Sequence, residues 1–147
     1  MKDRYLFKAK RIDNGEWVQG VPFEIEGKTI ILIKDNENLL RTHYLEENMW
    51  TAEIYAIEVD PSTICQCTGL KDKNGKLIWE NDIIKDENGN LYKAFWQDNY
   101  YQFSWICIKA GKMLLGAKWN LWSIKNFKIE VIGNIFDNPE LLESEIY

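Results

Sequence analysis

Histidine is almost absent from this 147-residue chain: His43 is the single one. A general base, a triad or a zinc site built on histidine would need it beside partners, and the neighbouring sequence offers no nucleophile elbow of the Gly-x-Ser-x-Gly type. Cysteine is scarce and odd in number, with Cys65, Cys67 and Cys107 only. Two cysteines separated by one residue, with one more far off, suit neither a disulfide framework nor a zinc ribbon. No phosphate-cradling Gly-x-x-x-x-Gly-Lys or Gly-x-Gly-x-x-Gly pattern occurs. Arginine stops at Arg41, so bidentate phosphate and guanine contacts are missing from the second half. The longest aliphatic run is Ile30-Ile31-Leu32-Ile33, far short of the roughly 20 residues of a membrane helix. The N-terminus is charged and has no apolar signal core, which points to a cytoplasmic protein.

What is present is apolar, aromatic and turn-rich. Hydrophobic residues make up 46%, aromatics 14% and charged residues 28%, with a formal charge of −5. That composition excludes disorder and membrane embedding, and the length allows one core or two small lobes. Short runs alternate with turn residues. Phe7 to Lys10 is followed by Asp13-Asn14-Gly15, then Trp17 to Ile25, then the turn Glu26-Gly27-Lys28 and Thr29 to Lys34. Asn38 reads as the cap of a short helix over 39–47. Trp50 to Val59 reads as a central strand apolar on both faces. Beyond Ile64, turns at 72–75, 86–90 and 97–99 punctuate further short strands. Phe127, Ile129 and Val131 alternate as a half-buried strand, and Asn138-Pro139 opens a short terminal helix over 140–145. The fold class is therefore mainly β, in small SH3-like barrel lobes of short antiparallel strands with one or two short helices. The division expected is an N-terminal lobe over 1–62 and a C-terminal lobe over 63–147, which could pack as one unit.

Two long segments carry a resemblance. One is Thr68-Gly69-Leu70-Lys71-Asp72-Lys73-Asn74-Gly75-Lys76-Leu77-Ile78-Trp79-Glu80-Asn81-Asp82-Ile83-Ile84; the other runs from Glu130-Val131-Ile132-Gly133 through Asn138-Pro139-Glu140-Leu141-Leu142. Together with the basic, aromatic opening Phe7-Lys8-Ala9-Lys10-Arg11-Ile12-Asp13, they resemble the YopX-like family of phage and prophage proteins. Asn81 departs from the family pattern, which has Gly between the Glu and the Asp; Asn also tolerates left-handed backbone, so the turn can survive. The resemblance implies an accessory role in phages or prophages and names no reaction, cofactor or site residue. Physically, these motifs read as fold determinants: turn formers at 72–75, an Asp82 carboxylate bonding backbone N–H groups, and a Gly133 that permits close packing.

Three functional readings follow. Glu80, Asp82, Asp86 and Glu87 form the densest acidic cluster and are the only candidates for acid–base or cation chemistry, although their spacing fits no calcium loop; solvated turn charge is the simpler reading. Residues 99–129 contain no Asp or Glu, but do contain Lys109, Lys112, Lys118, Lys125 and Lys128, interleaved with Trp119 and Trp122 among other rings. Lysines beside ring platforms suit single-stranded nucleic acid. The third reading is favoured. Tyr100, Tyr101, Phe103 and Trp105 crowd one hairpin with more ring area than a small lobe hides, and protein interfaces select Tyr, Trp and Phe. The chain is thus expected to be a non-enzymatic protein-binding or self-assembling protein with no cofactor or metal, its partner a second copy or a host or phage protein.

Overall fold

The computed structural model describes residues 5–33, 40–46, 49–54, 56–109, 116–120 and 128–143, with 40–46, 49–54 and Trp119 described at the level of the backbone. The chain divides into two compact units, Tyr5–Gln66 and Cys67–Tyr147.

The first unit begins with β1 (Phe7–Lys10), β2 (Trp17–Ile25) and β3 (Lys28–Ile33), joined as antiparallel neighbours. Gly15, at φ 72°, allows the first turn, in which the Arg11 N–H donates to the Glu16 carbonyl at 2.9 Å. Glu26 (φ 51°) and Gly27 (φ 75°) form the two-residue β2–β3 turn, and positive φ at both positions matches the right-handed twist of the strands. Gly20 has a steric role: a Cβ there would overlap the Leu32 carbonyl, so β2 and β3 meet closely only without a side chain. On the inner face Ala9, Ile31 and Val59 are fully buried, with Val18, Ile57 and Ile64 packed around them.

Of the helix expected over 39–47, the described residues 40–46 are strand instead. β4 (Leu40–Glu46) pairs with β5 (Met49–Ile54) as a separate two-stranded hairpin, with Thr42 opposite Ala52 and Tyr44 opposite Trp50. Thr and aromatic residues in both arms favour a pleated ladder, and that pairing overrides a single cap signal. The central strand expected over 50–59 also divides. β6 (Ala56–Glu58) leaves β5 and lies beside β3, where only Ile57, opposite Ile31, faces inward. In this unit the strands lie side by side in the order β6-β3-β2-β1, with a further strand beyond β1. The chain just after β1 also meets the end of β6, through an isolated Arg11–Val59 bridge and the Ile12 N–H to Glu58 carbonyl bond of 3.2 Å. After a 3-10 turn at Pro61–Thr63 comes β7 (Cys65–Lys71), whose first two residues pair with β1.

In the second unit Cys67 and Lys71 of β7 pair with β8 (Leu77–Trp79). β9 (Asp82–Lys85), β10 (Leu91–Gln97), β11 (Gln102–Lys109), β12 (Lys118–Asn120) and β13 (Glu130–Asn134) form an antiparallel sheet in the order β12-β11-β10-β9-β13. Its core is Ile78, Ile84, Tyr92, Ala94, Trp105, Cys107 and Ile129. The terminal helix expected over 140–145 is a 3-10 turn, Pro139–Leu142. Asn138 does not cap it. Its side chain turns back to accept from the Asn134 N–H at 3.3 Å and fills the space that a side chain on Gly133 would occupy. The protein is mainly β, as its alternation implies, but among the described residues neither unit closes into a barrel: the second unit's sheet ends at β12 and β13. No helix among the described residues is long and apolar enough to cross a membrane.

Candidate interaction surfaces

The acidic residues have structural duties. Asp72 begins the turn Asp-Lys-Asn-Gly, and Asp86 begins Asp-Glu-Asn-Gly. In each, one carboxylate oxygen accepts from the backbone N–H groups two and four residues on: Asn74 at 2.8 Å and Lys76 at 2.9 Å, then Asn88 and Asn90 at 2.9 Å. In each, the glycine sits at φ 81°. The second oxygen differs. Asp72 accepts from the Val131 N–H at 3.0 Å, tying its turn to β13, whereas Asp86 accepts from the Tyr92 hydroxyl at 3.0 Å and the Asn90 amide at 2.8 Å. Lys73 adds a main-chain bond to the Ile129 carbonyl at 2.9 Å and an exposed ion pair to Glu130 at 2.8 Å, and Glu87 accepts from the Lys128 N–H at 3.3 Å. Both turns therefore grip the chain entering β13.

Burial alone would raise the Asp72 carboxyl, but three backbone N–H groups and the Lys76 charge outweigh it and hold it below the usual aspartate range. Burial is likewise outweighed at Asp86, by the bonds from Asn90, Tyr92 and Asn88. Tyr92, buried and bonded to Asp86, is pushed up to about 12. Asp82 is buried and accepts from the Trp79 N–H at 2.8 Å, closing a turn in which Asn81 adopts φ 66°. Asp82 and Asp86 are thus not solvated turn charge; they are buried acceptors. Glu80 is half-buried and Glu87 exposed. Among the described residues no three His, Cys, Asp or Glu side chains converge as a metal ion would require. Cys65, Cys67 and Cys107 are buried thiols, and burial pushes the Cys107 thiol up. The His43 side chain lies outside the described residues; its backbone is in β4, opposite Thr51.

The aromatic hairpin separates into two halves. Phe103 and Trp105 face the core, Trp105 completely, so neither can present a ring to a partner. The reason is register: Phe103 lies opposite Trp96, Trp105 opposite Ala94 and Cys107 opposite Tyr92, so odd positions of β11 share the inner face. The Trp105 indole N–H has no acceptor among the described residues. Tyr100 and Tyr101, at the hairpin tip, are 68% and 84% exposed. Trp96 stands edge-on to Phe103, with centroids 5.0 Å apart. Of the lysines proposed for nucleic acid, Lys109, Lys118 and Lys128 are exposed, and Lys118 Nζ sits 5.7 Å from the Phe95 ring centroid. Lys112, Trp122 and Lys125 lie outside the described residues, as does the Trp119 side chain.

One surface escaped the sequence reading. Phe23 and Ile25 alternate along β2 and are 50% and 53% exposed on the outward face of the first sheet. Their spacing of two in a run with Val21 was the available signal. In addition, a shallow open cleft is lined by Arg11, Ile12, Asp13, Ala56, Ile57 and Glu58, but its guanidinium is already bonded to Asp13.

The fold has a relative. The crystal structure of protein EF1440 from Enterococcus faecalis is similar, with a TM-score of 0.60 and 23% identity over 93% of this chain and 96% of that one. At that identity the likeness is one of fold. No curated protein matches the chain. The family described as YopX protein matches residues 6–143, a span that contains the stretches 7–13, 68–84 and 130–142 on which the resemblance rested, and the chain belongs to the YopX family.

Proposed function

We propose that this chain is a non-enzymatic protein-binding module, phage- or prophage-encoded and acting in the bacterial cytoplasm, whose β10–β11 hairpin tip contacts a second copy of itself. One observation carries the reading. Tyr101 is 84% exposed and adopts left-handed backbone, with φ 49° and ψ 46°. That conformation costs a non-glycine residue about 1 kcal/mol, and the ring regains little of it by burial. Glycine or asparagine would serve the turn better, so the tyrosine has a use outside the fold. Adjacent Tyr100 doubles the ring area, and rings of this kind anchor interfaces. The commitment of Asp72, Asp82 and Asp86 to backbone N–H groups supports the non-enzymatic part, because acceptors already occupied make poor bases.

Sedimentation at micromolar concentration tests it. The wild type should associate, and Tyr100→Ser with Tyr101→Gly should sediment as a monomer. A wild type that stays monomeric, or a variant that associates equally well, refutes the self-association. A salt-dependent shift of labelled single-stranded DNA, abolished by Lys109→Ala with Lys118→Ala, would replace it with the nucleic-acid reading.

A further inference from the structure

We infer that Asn88 is a site of spontaneous covalent modification, at which the Gly89 backbone nitrogen displaces the side-chain amide and leaves an isoaspartate in the turn before β10. Asparagine is thermolabile because its carboxamide lies within reach of the backbone nitrogen of the next residue, an attack made fast by being intramolecular. Glycine at that next position is the most reactive case, since no Cβ obstructs the approach. The chain contains three such pairs: Asn14-Gly15, Asn74-Gly75 and Asn88-Gly89. All six residues are exposed, so water and hydroxide reach each of them. What differs is how firmly the reacting groups are held.

Asn14 is held at both ends: its Oδ1 accepts from the Glu16 N–H at 2.9 Å, and its Nδ2 donates to the Glu16 carboxylate at 3.2 Å. The Asn74 amide donates to the Glu130 carboxylate. In the 86–90 turn the side chains around Asn88 are engaged with one another or with the chain. Asp86 accepts from the Asn90 amide and the Tyr92 hydroxyl, and Glu87 accepts from the Lys128 N–H. The Asn88 carboxamide has no hydrogen-bond partner among the described residues. The nucleophiles rank in the same way. The Gly15 and Gly75 N–H groups each donate to a carbonyl at 3.0 Å, whereas the Gly89 N–H reaches the Asp86 carbonyl at 3.2 Å. An unrestrained carboxamide thus adjoins the least firmly bonded of the three nitrogens.

The step balances with water alone. The Gly89 nitrogen gives its proton to hydroxide and bonds to Asn88 Cγ. The Cγ–Nδ2 bond breaks, and the nitrogen takes a proton from water and leaves as ammonia. Water then opens the five-membered imide. Opening at the side-chain carbonyl gives aspartate; opening at the main-chain carbonyl gives isoaspartate, with the chain running through Cβ and Cγ. The turn is sensitive to that difference. The Asn88 and Asn90 N–H groups share one Asp86 oxygen, each at 2.9 Å, and an added methylene between them spreads the pair. A further carboxylate also enters a turn that already carries Asp86 and Glu87. The isoaspartate form therefore loosens the grip of this turn on the chain entering β13.

The test ages the whole protein for weeks in warm, mildly alkaline buffer, folded and in urea, and maps its peptides by mass spectrometry. The Asn88 peptide should show the mass gain of amide to acid and resolve into aspartate and isoaspartate forms. The second form should accept a labelled methyl group from an isoaspartate-specific carboxyl methyltransferase. In the folded protein Asn88 should convert about fivefold faster than Asn14, the factor that one hydrogen bond of ordinary net strength represents, and ahead of Asn74. In urea, where those bonds are gone, the three rates should converge. The isoaspartate fraction should melt below the unmodified protein, and Asn88→Ser should age without forming that fraction. Asn14 or Asn74 converting as fast as Asn88 in the folded protein overturns the assignment. So does Asn88 staying intact when folded while converting in urea, because the turn would then shield it. A spread of rates that persists in urea overturns it too, since sequence alone would then set the order.

Discussion

Removing the Asp72 carboxylate should be among the most damaging single changes in the second unit. The residue is 7% exposed, and its two oxygens hold three backbone N–H groups, two in its own turn and one on Val131, across 59 residues of chain. Hydrogen bonds to a charged acceptor contribute about 1.5–3 kcal/mol each, and a buried donor left without an acceptor costs about 1–3 kcal/mol. Asn74 and Lys76 are exposed, so water can reach their N–H groups after truncation; Val131 is half-buried and less easily rescued. Asp72→Ala should therefore destabilise by about 3 kcal/mol. In Asp72→Asn one oxygen can still serve the turn, but an amide NH2 group then faces the Val131 N–H, donor against donor, and the loss should be about 2 kcal/mol. Urea unfolding followed by tryptophan fluorescence measures both; with a slope of about 1–3 kcal/mol per molar, the Ala midpoint should fall by 1 M or more. Lys73→Ala, next door, is the control. Its pair with Glu130 is exposed, so the midpoint should stay close to that of wild type.

The same bonds set an acid limit. Because Asp72 is held below its ordinary range in the folded chain, the stabilisation it provides is complete above the unfolded value near 4 and is lost as pH falls through the lower folded value. Wild-type stability should decline below about pH 4, and Asp72→Asn should decline less steeply, having no carboxyl there to protonate. An Ala variant within 1 kcal/mol of wild type, or an Asn variant with an undiminished acid slope, would refute the clamp.

Gly20→Ala should destabilise by about 3 kcal/mol, since the added methyl meets the Leu32 carbonyl, which is backbone and cannot rotate away; thermal unfolding of the variant checks it. Tyr92→Phe should cost about 1–2 kcal/mol by removing a donor from Asp86. In wild type one phenol should ionise near pH 12, by ultraviolet absorbance, and that late step should vanish in the variant. Raised in the folded state, Tyr92 contributes stability that is whole below the unfolded value near 10 and lost as pH climbs towards 12. Tyr101→Gly should leave stability unchanged or raise it by up to about 1 kcal/mol, since relief of left-handed strain offsets the greater freedom of glycine in the unfolded chain; calorimetry decides.

Local turn chemistry was the most readable part of the chain. Gly15, Gly27, Gly75 and Gly89 all take the positive φ that their turns demand, and Asn81 does so in place of glycine. What a turn motif does not reveal is its distant partner. Nothing local to Asp72-Lys73-Asn74-Gly75 says that one carboxylate oxygen will reach Val131, so a buried clamp resembles a solvated acidic loop in sequence. Period two also located the strands without saying which lie side by side. The stretch 50–59 reads as one strand until β6 is seen to leave β5 for β3, where its alternation of Ala56, Ile57 and Glu58 becomes that of an edge. Register explains the divided aromatic hairpin as well: Phe103 and Trp105 sit two apart on the inner face, whereas Tyr100 and Tyr101 belong to the tip, where alternation no longer applies. The same rule, applied to Val21, Phe23 and Ile25, was enough to group them on one face; that the face looks outward depends on Ile31 packing on the other.

These observations supply a criterion for separating side chains that serve the fold from those that serve a partner. An aspartate whose lone pairs hold three or four donors, and whose affinity for protons is lowered thereby, is a weak base; recruiting Asp72 or Asp86 for chemistry would mean opening the turn it closes. Their placement is explained by stability alone. Tyr101 fails that explanation, being strained and exposed at once, and so do Phe23 and Ile25, which leave apolar surface in water while Ala9, Ile31 and Val59 fill the core behind them. Stability measurements can test the criterion before any partner is known. Tyr101→Gly and Phe23→Ser should each leave the folded chain within about 1 kcal/mol of wild type, as surface changes do. If either were destabilised by more than that, its ring would be supporting the fold, and the corresponding surface would lose its claim to a partner.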